Sequence, residues 1–230
     1  MKIARIGESG KERPALIENS DVIYLDSVIG DWSRPELESG ALEKVARCDK
    51  SVLPREILGK ARIGSPIKNP TKVICVGLNY LGHIKESNAQ TPAEPIIFMK
   101  APETVIGPND DVVVPPNSEA TEFNPLGPCI VTPDEIDGSN LRLWCSVDGE
   151  MRQDSNTNDL LFGINHIIWY VSQFMELNSG DIINTGTPFG VGLGFKPPKY
   201  LRDGNTLRTG IEGIGEMESR IVAYSKVVQA

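Results

Sequence analysis

Apolar positions in this chain fall mostly in short runs or in alternation with polar ones, and helical spacing is confined to two stretches. Residues 2–6 and 13–17 read as a strand pair, with 22–25 as a third short strand. Between residues 41 and 48, Leu42, Val45 and Ala46 fall at helical spacing, and residues 61–70, with Pro66 and Pro70, read as a linker. The unbroken apolar run at 73–76 fits a buried central strand, and residues 95–100 (PIIFMK) fit another. Residues 112–114 form a strand that stops at Pro115-Pro116, because proline cannot continue the ladder. Residues 141–147, Asp148-Gly149 and residues 150–153 predict a hairpin, since Asp-Gly suits a type I′ turn. Asn156 or Thr157 then caps a predicted helix whose apolar face uses Leu160, Leu161, Ile164, Ile168, Val171 and Met175, running out at Asn178-Ser179-Gly180. Residues 181–184 form a strand feeding Thr185-Gly186-Thr187-Pro188 and a glycine-rich loop at 190–194. The pattern predicts a β-rich α+β chain: a small N-terminal domain and linker over residues 1–69, then a larger domain over 70–230.

With 230 residues the chain is long enough to bury a substantial core. Its net charge of −8, without any run of Lys or Arg, argues against nucleic acid or an anionic membrane as partner, since both need a basic face. The stretch MKIARIGESG has no apolar centre, so no signal peptide is expected, and the apolar run at 166–171 is too short to span a bilayer. The four cysteines, Cys48, Cys75, Cys129 and Cys145, have no CxxC spacing and read as reduced thiols of a cytoplasmic protein. There is no GxSxG elbow, no HExxH and no P-loop lysine, and 31 acids give too many pairs to single out glycosidase carboxylates.

Two loops following apolar strands carry candidate chemistry. In KVICVGLNYLGHIKE, His83 and Glu86 lie three residues apart, which places both on one face of a helical turn. A carboxylate beside an imidazole orients it and raises its basicity, so such a pair can take a proton from water near neutral pH. The plainer alternative is an incidental pair at the start of a surface helix. In the second loop, the Thr187 hydroxyl and the glycine-rich backbone N–H groups offer a hold for a carboxylate or an oxyanion. His166, among isoleucines, reads as a partly buried structural histidine.

These segments, taken together, resemble one family. VICVGLNYLGHIKES, TPAEPIIFMKAPETVIGPND, NPLGPCIVTPDEID, VDGEMRQDSNTNDLLFGINHIIWYVSQFMELNSGDIINTGTPFGVG and KPPKYLRDGNTLRTGIEGIGE resemble the fumarylacetoacetate hydrolase family, in the bacterial branch of 2,4-diketo-3-deoxy sugar acid hydrolases that also carries the ureidoglycolate lyase name. The resemblance implies a rolled mixed sheet with a small N-terminal domain, a homodimer and a cytoplasmic location. His83 and Glu86 match the water-activating pair, Lys100 the lysine ending the FMK strand, Thr187 the substrate-holding threonine, and Arg152 and Gln153 the hairpin end that approaches substrate. The implied reaction is hydrolysis of a C–C bond in a small acylpyruvate-type or 2,4-diketo-3-deoxy sugar acid, assisted by Mg²⁺ or Mn²⁺. Two alternatives remain open: decarboxylation or tautomerisation of an oxaloacetate-like acid, and a non-catalytic paralogue.

The chain departs from the family at one place. NSEATEF runs directly into NPLGPC, where the family has several dozen further residues that include its three carboxylate metal ligands. No metal residue is therefore carried over. Glu119 and Glu122 are the acids nearest the junction, and their plainer reading is as solvated loop residues.

Overall fold

The computed structural model describes residues 1–118 and 121–227. The chain opens with β1 (Lys2–Ile6), β2 (Arg13–Glu18) and β3 (Asp21–Tyr24), passes through α1 (Arg34–Glu38) and α2 (Ala41–Arg47), and returns as β4 (Arg55–Ile57) and β5 (Ile63–Gly64). The middle holds β6 (Val73–Gly77), α3 (Leu81–Glu86), β7 (Ile96–Lys100), β8 (Val105–Ile106) and β9 (Val112–Val114). Next come β10 (Asn124–Pro125), β11 (Ile130–Val131), β12 (Arg142–Val147), β13 (Glu150–Asn156) and α4 (Ile164–Val171). The last elements are β14 (Ile182–Asn184), β15 (Thr206–Ile211), β16 (Gly215–Ala223) and α5 (Tyr224–Val227).

The N-terminal strands form a six-stranded sheet in the order β11-β1-β2-β3-β4, with β5 also on β1. Both faces of this sheet are covered, which explains why its strands read as near-continuous apolar runs. Ile3, Leu16, Ile23 and Leu25 pack on Trp32, Ala41 and Val45 on one side; Ala4, Ile6, Ala15, Ile17 and Val22 pack with Cys129 on the other. Residues 63–64, read as linker from the sequence, pair with Arg5 and Ile6 of β1. Arg5 is buried and bonds Asp31 through two nitrogens (2.7 and 3.2 Å), while Arg62 joins Glu12 and Asp110.

The other sheets mix parallel and antiparallel pairing. A three-stranded sheet runs β14-β6-β7, with β14 parallel and β7 antiparallel to β6. A five-stranded sheet runs β13-β12-β15-β16-β9, antiparallel except for the parallel β16–β9 pair. The architecture is thus the sheet-dominated α+β type expected. Val73 to Val76 are buried, and Ile74 and Val76 pack against Ile167 and Val171 of α4. The β12–β13 hairpin turns at Asp148 (φ 52°) and Gly149 (φ 80°), both in the left-handed region that a type I′ turn requires.

The predicted helix from residue 156 is a correction. Asn156 caps only a short turn at Thr157–Asp159, and α4 starts at Ile164. Leu160 and Leu161 are held extended by partners outside the helix: Leu160 bridges to Tyr80, and the Leu161 N–H donates to the Asn79 carbonyl (2.8 Å). The late start rotates the buried stripe onto Ile167 and Val171, so His166 is exposed, not partly buried, and stacks on Phe162 with ring centroids 5.3 Å apart. No helix of the described residues is long and apolar enough to cross a membrane.

Candidate functional site

β6 delivers the chain to a loop organised by Asn79, which is fully buried. Its side-chain amide donates to the carbonyls of Thr185 (2.7 Å) and Phe162 (3.1 Å), and its Oδ1 accepts from the Phe162 N–H (2.9 Å). One polar side chain thus ties the end of β6, the segment before α4 and the loop after β14 together, with its polar atoms satisfied as burial demands. Gly186 (φ 125°) follows Thr185, and a Cβ there would lie 3.1 Å from the Asn79 Cβ. A second stitch comes from Asp159, whose Oδ2 accepts the Gly82 N–H in the first turn of α3 (3.0 Å), where helix N–H groups lack intrahelical partners.

On α3, Ile84 is buried and faces the core, which turns His83 and Glu86 to another face together. His83 Nδ1 lies 3.3 Å from Glu86 Oε2. A carboxylate only accepts, so a hydrogen bond in this contact requires the proton on Nδ1. The other Glu86 oxygen, Oε1, accepts the Gly190 N–H (2.8 Å). A Cβ on Gly194 would sit 2.3 Å from that same Oε1, so the glycine-rich loop closes over the carboxylate where no side chain fits. Two other groups are poor candidates for the base or nucleophile. Burial, then the charge of Asp159, pushes the Tyr80 phenol up to about 12, and burial pushes the Cys145 thiol up to about 11.

Arg152, Gln153 and Thr187 line one cavity of about 690 Å³, together with Gly190, Phe195 and Lys199. Consecutive strand residues ordinarily point to opposite faces. Here the register passes from Cys145 opposite Gln153 to Ser146 opposite Met151, leaving Arg152 as an extra residue. This β-bulge re-aims a side chain, so both neighbours reach the same cavity. Gln153 Nε2 donates to Thr187 Oγ1 and to the Pro188 carbonyl (both 2.9 Å), which leaves the Thr187 hydroxyl proton to donate elsewhere. Arg152 Nη2 pairs with Glu150 (3.1 Å), and its Nη1 is buried without a hydrogen-bond partner.

The Lys100 backbone pairs opposite Val73, whereas Gly77 at the other end of β6 leads to the dyad; four residues of strand separate the two ends by about 13 Å. Lys100 Nζ donates to the Glu122 carbonyl (3.2 Å). The sequence reading missed Asn79, Asp159 and Lys199. An Asn between a buried strand and an apolar helix start was a usable signal for the first; the other two act through long-range contacts that spacing does not carry.

Among the described residues, no group of three or more His, Cys, Asp or Glu side chains is placed to hold a metal ion. Mg²⁺ demands near-octahedral oxygen coordination. Both Glu86 oxygens are engaged, the Glu122 residue is exposed, and Glu119 lies outside the described residues. The described residues do not fit the cation that the resemblance implies.

The fumarylacetoacetate (FAA) hydrolase C-terminal family matches the chain in two pieces, residues 72–123 and 119–222, which overlap at residues 119–123. A Burkholderia orbicola protein, provisionally named a hydrolase, is 31% identical over 278 aligned positions that cover 96% of this chain and 98% of the relative. The fumarylacetoacetate hydrolase of Exiguobacterium antarcticum superposes with a TM-score of 0.82 at 28% identity, covering 97% and 99% of the two chains. A maleylpyruvate hydrolase of Sphingobium sp. SYK-6, solved with manganese(II) and pyruvate, superposes at 0.75 over 97% and 99% of the chains; at 24% identity that likeness is one of fold. By the two-part match and the near full-length relative, this chain belongs to the fumarylacetoacetate hydrolase family, an enzyme family.

Proposed function

We propose that the chain hydrolyses a C–C bond in a small acylpyruvate-type or 2,4-diketo-3-deoxy sugar acid, with His83 and Glu86 activating the water. The observation that carries this reading is the doubly held Glu86, bonded to His83 Nδ1 on one oxygen and to the Gly190 N–H on the other. In the proposed reaction His83 Nε2 takes a proton from water as its oxygen attacks the acyl carbonyl carbon. The bond from that carbon to the pyruvate methylene then breaks, and the electron pair passes to the enolate of pyruvate. His83 returns the proton to the methylene carbon, and the acyl fragment leaves as a carboxylic acid. The Thr187 hydroxyl, oriented by Gln153, is assigned to the developing oxyanion.

The test is pyruvate release from acetylpyruvate by the parent and by His83→Ala and Glu86→Gln, with circular dichroism as the folding control. Loss of a general base lowers kcat/KM by about 10²–10⁴. Turnover by His83→Ala at the parent rate removes the dyad from the mechanism. A second reading, tautomerisation of an oxaloacetate-like acid, is favoured by the donor set: a base and hydroxyl suffice to move a proton between carbon and oxygen, and the described residues do not fit a cation. Exchange of oxaloacetate methylene protons into deuterated solvent, faster with the parent than with His83→Ala, distinguishes it.

A further inference from the structure

α3 is six residues long, Leu81–Glu86, and Ile84 is its one buried residue. A helix that short has no stability of its own in water, so its geometry is set by what holds it from outside. Its N-cap residue, Tyr80, gives the first turn no side-chain hydrogen bond. The cap comes instead from Asp159, 77 residues further along the chain, whose Oδ2 accepts the Gly82 N–H at 3.0 Å. The fit around that N–H is close. A Cβ on Gly82 would lie 3.3 Å from Asp159 Oδ2 and 2.9 Å from Phe189 Cδ1. Phe189 precedes Gly190, which donates to Glu86 Oε1 (2.8 Å) in the last turn. The helix is thus held at its start by Asp159 and Phe189 and at its end by Gly190, with His83 between them.

Asp159 is fastened firmly enough to act as an anchor. It ends the short turn Thr157–Asp159, and the two residues after it are tied to the entry of α3: Leu160 bridges to Tyr80, and the Leu161 N–H donates to the Asn79 carbonyl (2.8 Å). The contact it serves has little slack. His83 Nδ1 and Glu86 Oε2 are 3.3 Å apart, at the long end of hydrogen bonding, so a first turn that unwinds against the anchored Glu86 breaks it.

We propose that Asp159 is a positioning residue: by capping Gly82 it keeps the first turn of α3 wound, and so holds His83 Nδ1 against Glu86. Its effect on turnover rests on the hydrolytic reading above; its effect on the imidazole rests on the geometry of α3 and is read separately.

The experiment uses Asp159→Ala, Asp159→Asn and Gly82→Ala in the full chain. Nitrogen-15 NMR above the imidazole pKa reads which ring nitrogen of His83 carries the proton. The chain has two histidines, so a His83→Ala spectrum assigns the signals and His166 serves as internal reference. The parent is expected to hold the proton on Nδ1, and Asp159→Ala to move a large share of it to Nε2. Asn caps helices as well as Asp does, so Asp159→Asn is expected to restore most of the parent signal. Gly82→Ala opens the same contact from the helix side and is expected to reproduce the shift, which keeps the test available if Asp159→Ala does not fold. In acetylpyruvate turnover, Asp159→Ala is expected to lower kcat about tenfold to a hundredfold. KM is expected to stay near the parent value, since Asp159 does not line the cavity of Arg152, Gln153 and Thr187. A parent ring protonated on Nε2, or a proton that stays on Nδ1 in both Asp159→Ala and Gly82→Ala, would overturn the assignment. So would a loss that Asp159→Asn shares in full, with KM rising as kcat falls, because that marks a general structural role. A parent that moves the proton as expected but does not turn over acetylpyruvate keeps Asp159 as the helix anchor and removes the hydrolytic reading.

Discussion

Gly190 donates its backbone N–H to Glu86 Oε1 at 2.8 Å with φ at 95°, a conformation that L side chains rarely adopt. A Cβ at this position would lie 1.9 Å from the Arg152 carbonyl oxygen. Gly190→Ala therefore moves the loop off both Glu86 and the bulge. The strained conformation alone costs about 1–3 kcal/mol, and misplacing the dyad's carboxylate is expected to lower kcat/KM by about 10²-fold. Urea unfolding and acetylpyruvate turnover measured together check this; a variant as active and as stable as the parent contradicts the arrangement.

Asn79 is expected to be the most sensitive polar residue outside the dyad. Asn79→Ala leaves the Phe162 N–H and the Phe162 and Thr185 carbonyls without their partner in a buried setting. Orphaned buried groups cost about 1–3 kcal/mol each, so a loss of about 3 kcal/mol in unfolding free energy is expected. Asn79→Asp keeps the acceptor for Phe162 N–H but faces two carbonyls with an oxygen, and is expected to be no better than alanine. Equilibrium denaturation of both variants is the measurement.

How far the sequence reached can be judged at particular residues. The β6 run, the I′ turn at Asp148-Gly149 and the His83–Glu86 spacing were legible because each is local: burial on both faces, positive φ, and one helical turn. The two-residue strands β5, β8, β10 and β11 were invisible, since two residues carry no period and exist only through distant partners. Leu160 and Leu161 fit a helical stripe, yet their pairing with Tyr80 and Asn79 overrode it. The bulge at Arg152 was equally hidden: RQ in a strand reads as one residue in and one out, and only the register with Cys145 and Ser146 puts both on one cavity.

Asp181 predicts an acid sensitivity. Its side chain is 3% exposed and pairs with Lys72 (2.7 Å), with Thr71 and the Asn178 N–H as further donors. Burial by itself raises its pKa, but the bonds from Lys72, Thr71 and the Asn178 N–H outweigh it and hold the carboxyl below its ordinary value. A group depressed in the folded state stabilises fully above its unfolded pKa, near 4, and loses that contribution as pH falls through the lower folded value. Asp181→Asn is expected to cost about 3 kcal/mol at pH 7, and the gap to the parent should narrow steadily below about pH 4. A gap that is constant from pH 7 to acid would show that the charge contributes nothing.

The open edge of β7 predicts self-association. Among the described residues, β7 pairs only with β6, so its other edge carries open N–H and C=O groups. Ile97 packs inward, while Ile96 and Phe98 are 46% and 50% exposed on the outer side. An unpaired edge beside exposed apolar side chains is a template for another strand. The chain is expected to elute as a homodimer or larger species whose mass, by light scattering, falls on dilution. Phe98→Lys places a charge on that edge and is expected to weaken association about tenfold or more, with the far-ultraviolet dichroism unchanged. If Phe98→Lys associates as the parent does, contacts elsewhere on the surface drive assembly. If the parent is monomeric at every concentration, the open β7 edge is protected by its own short length and twist.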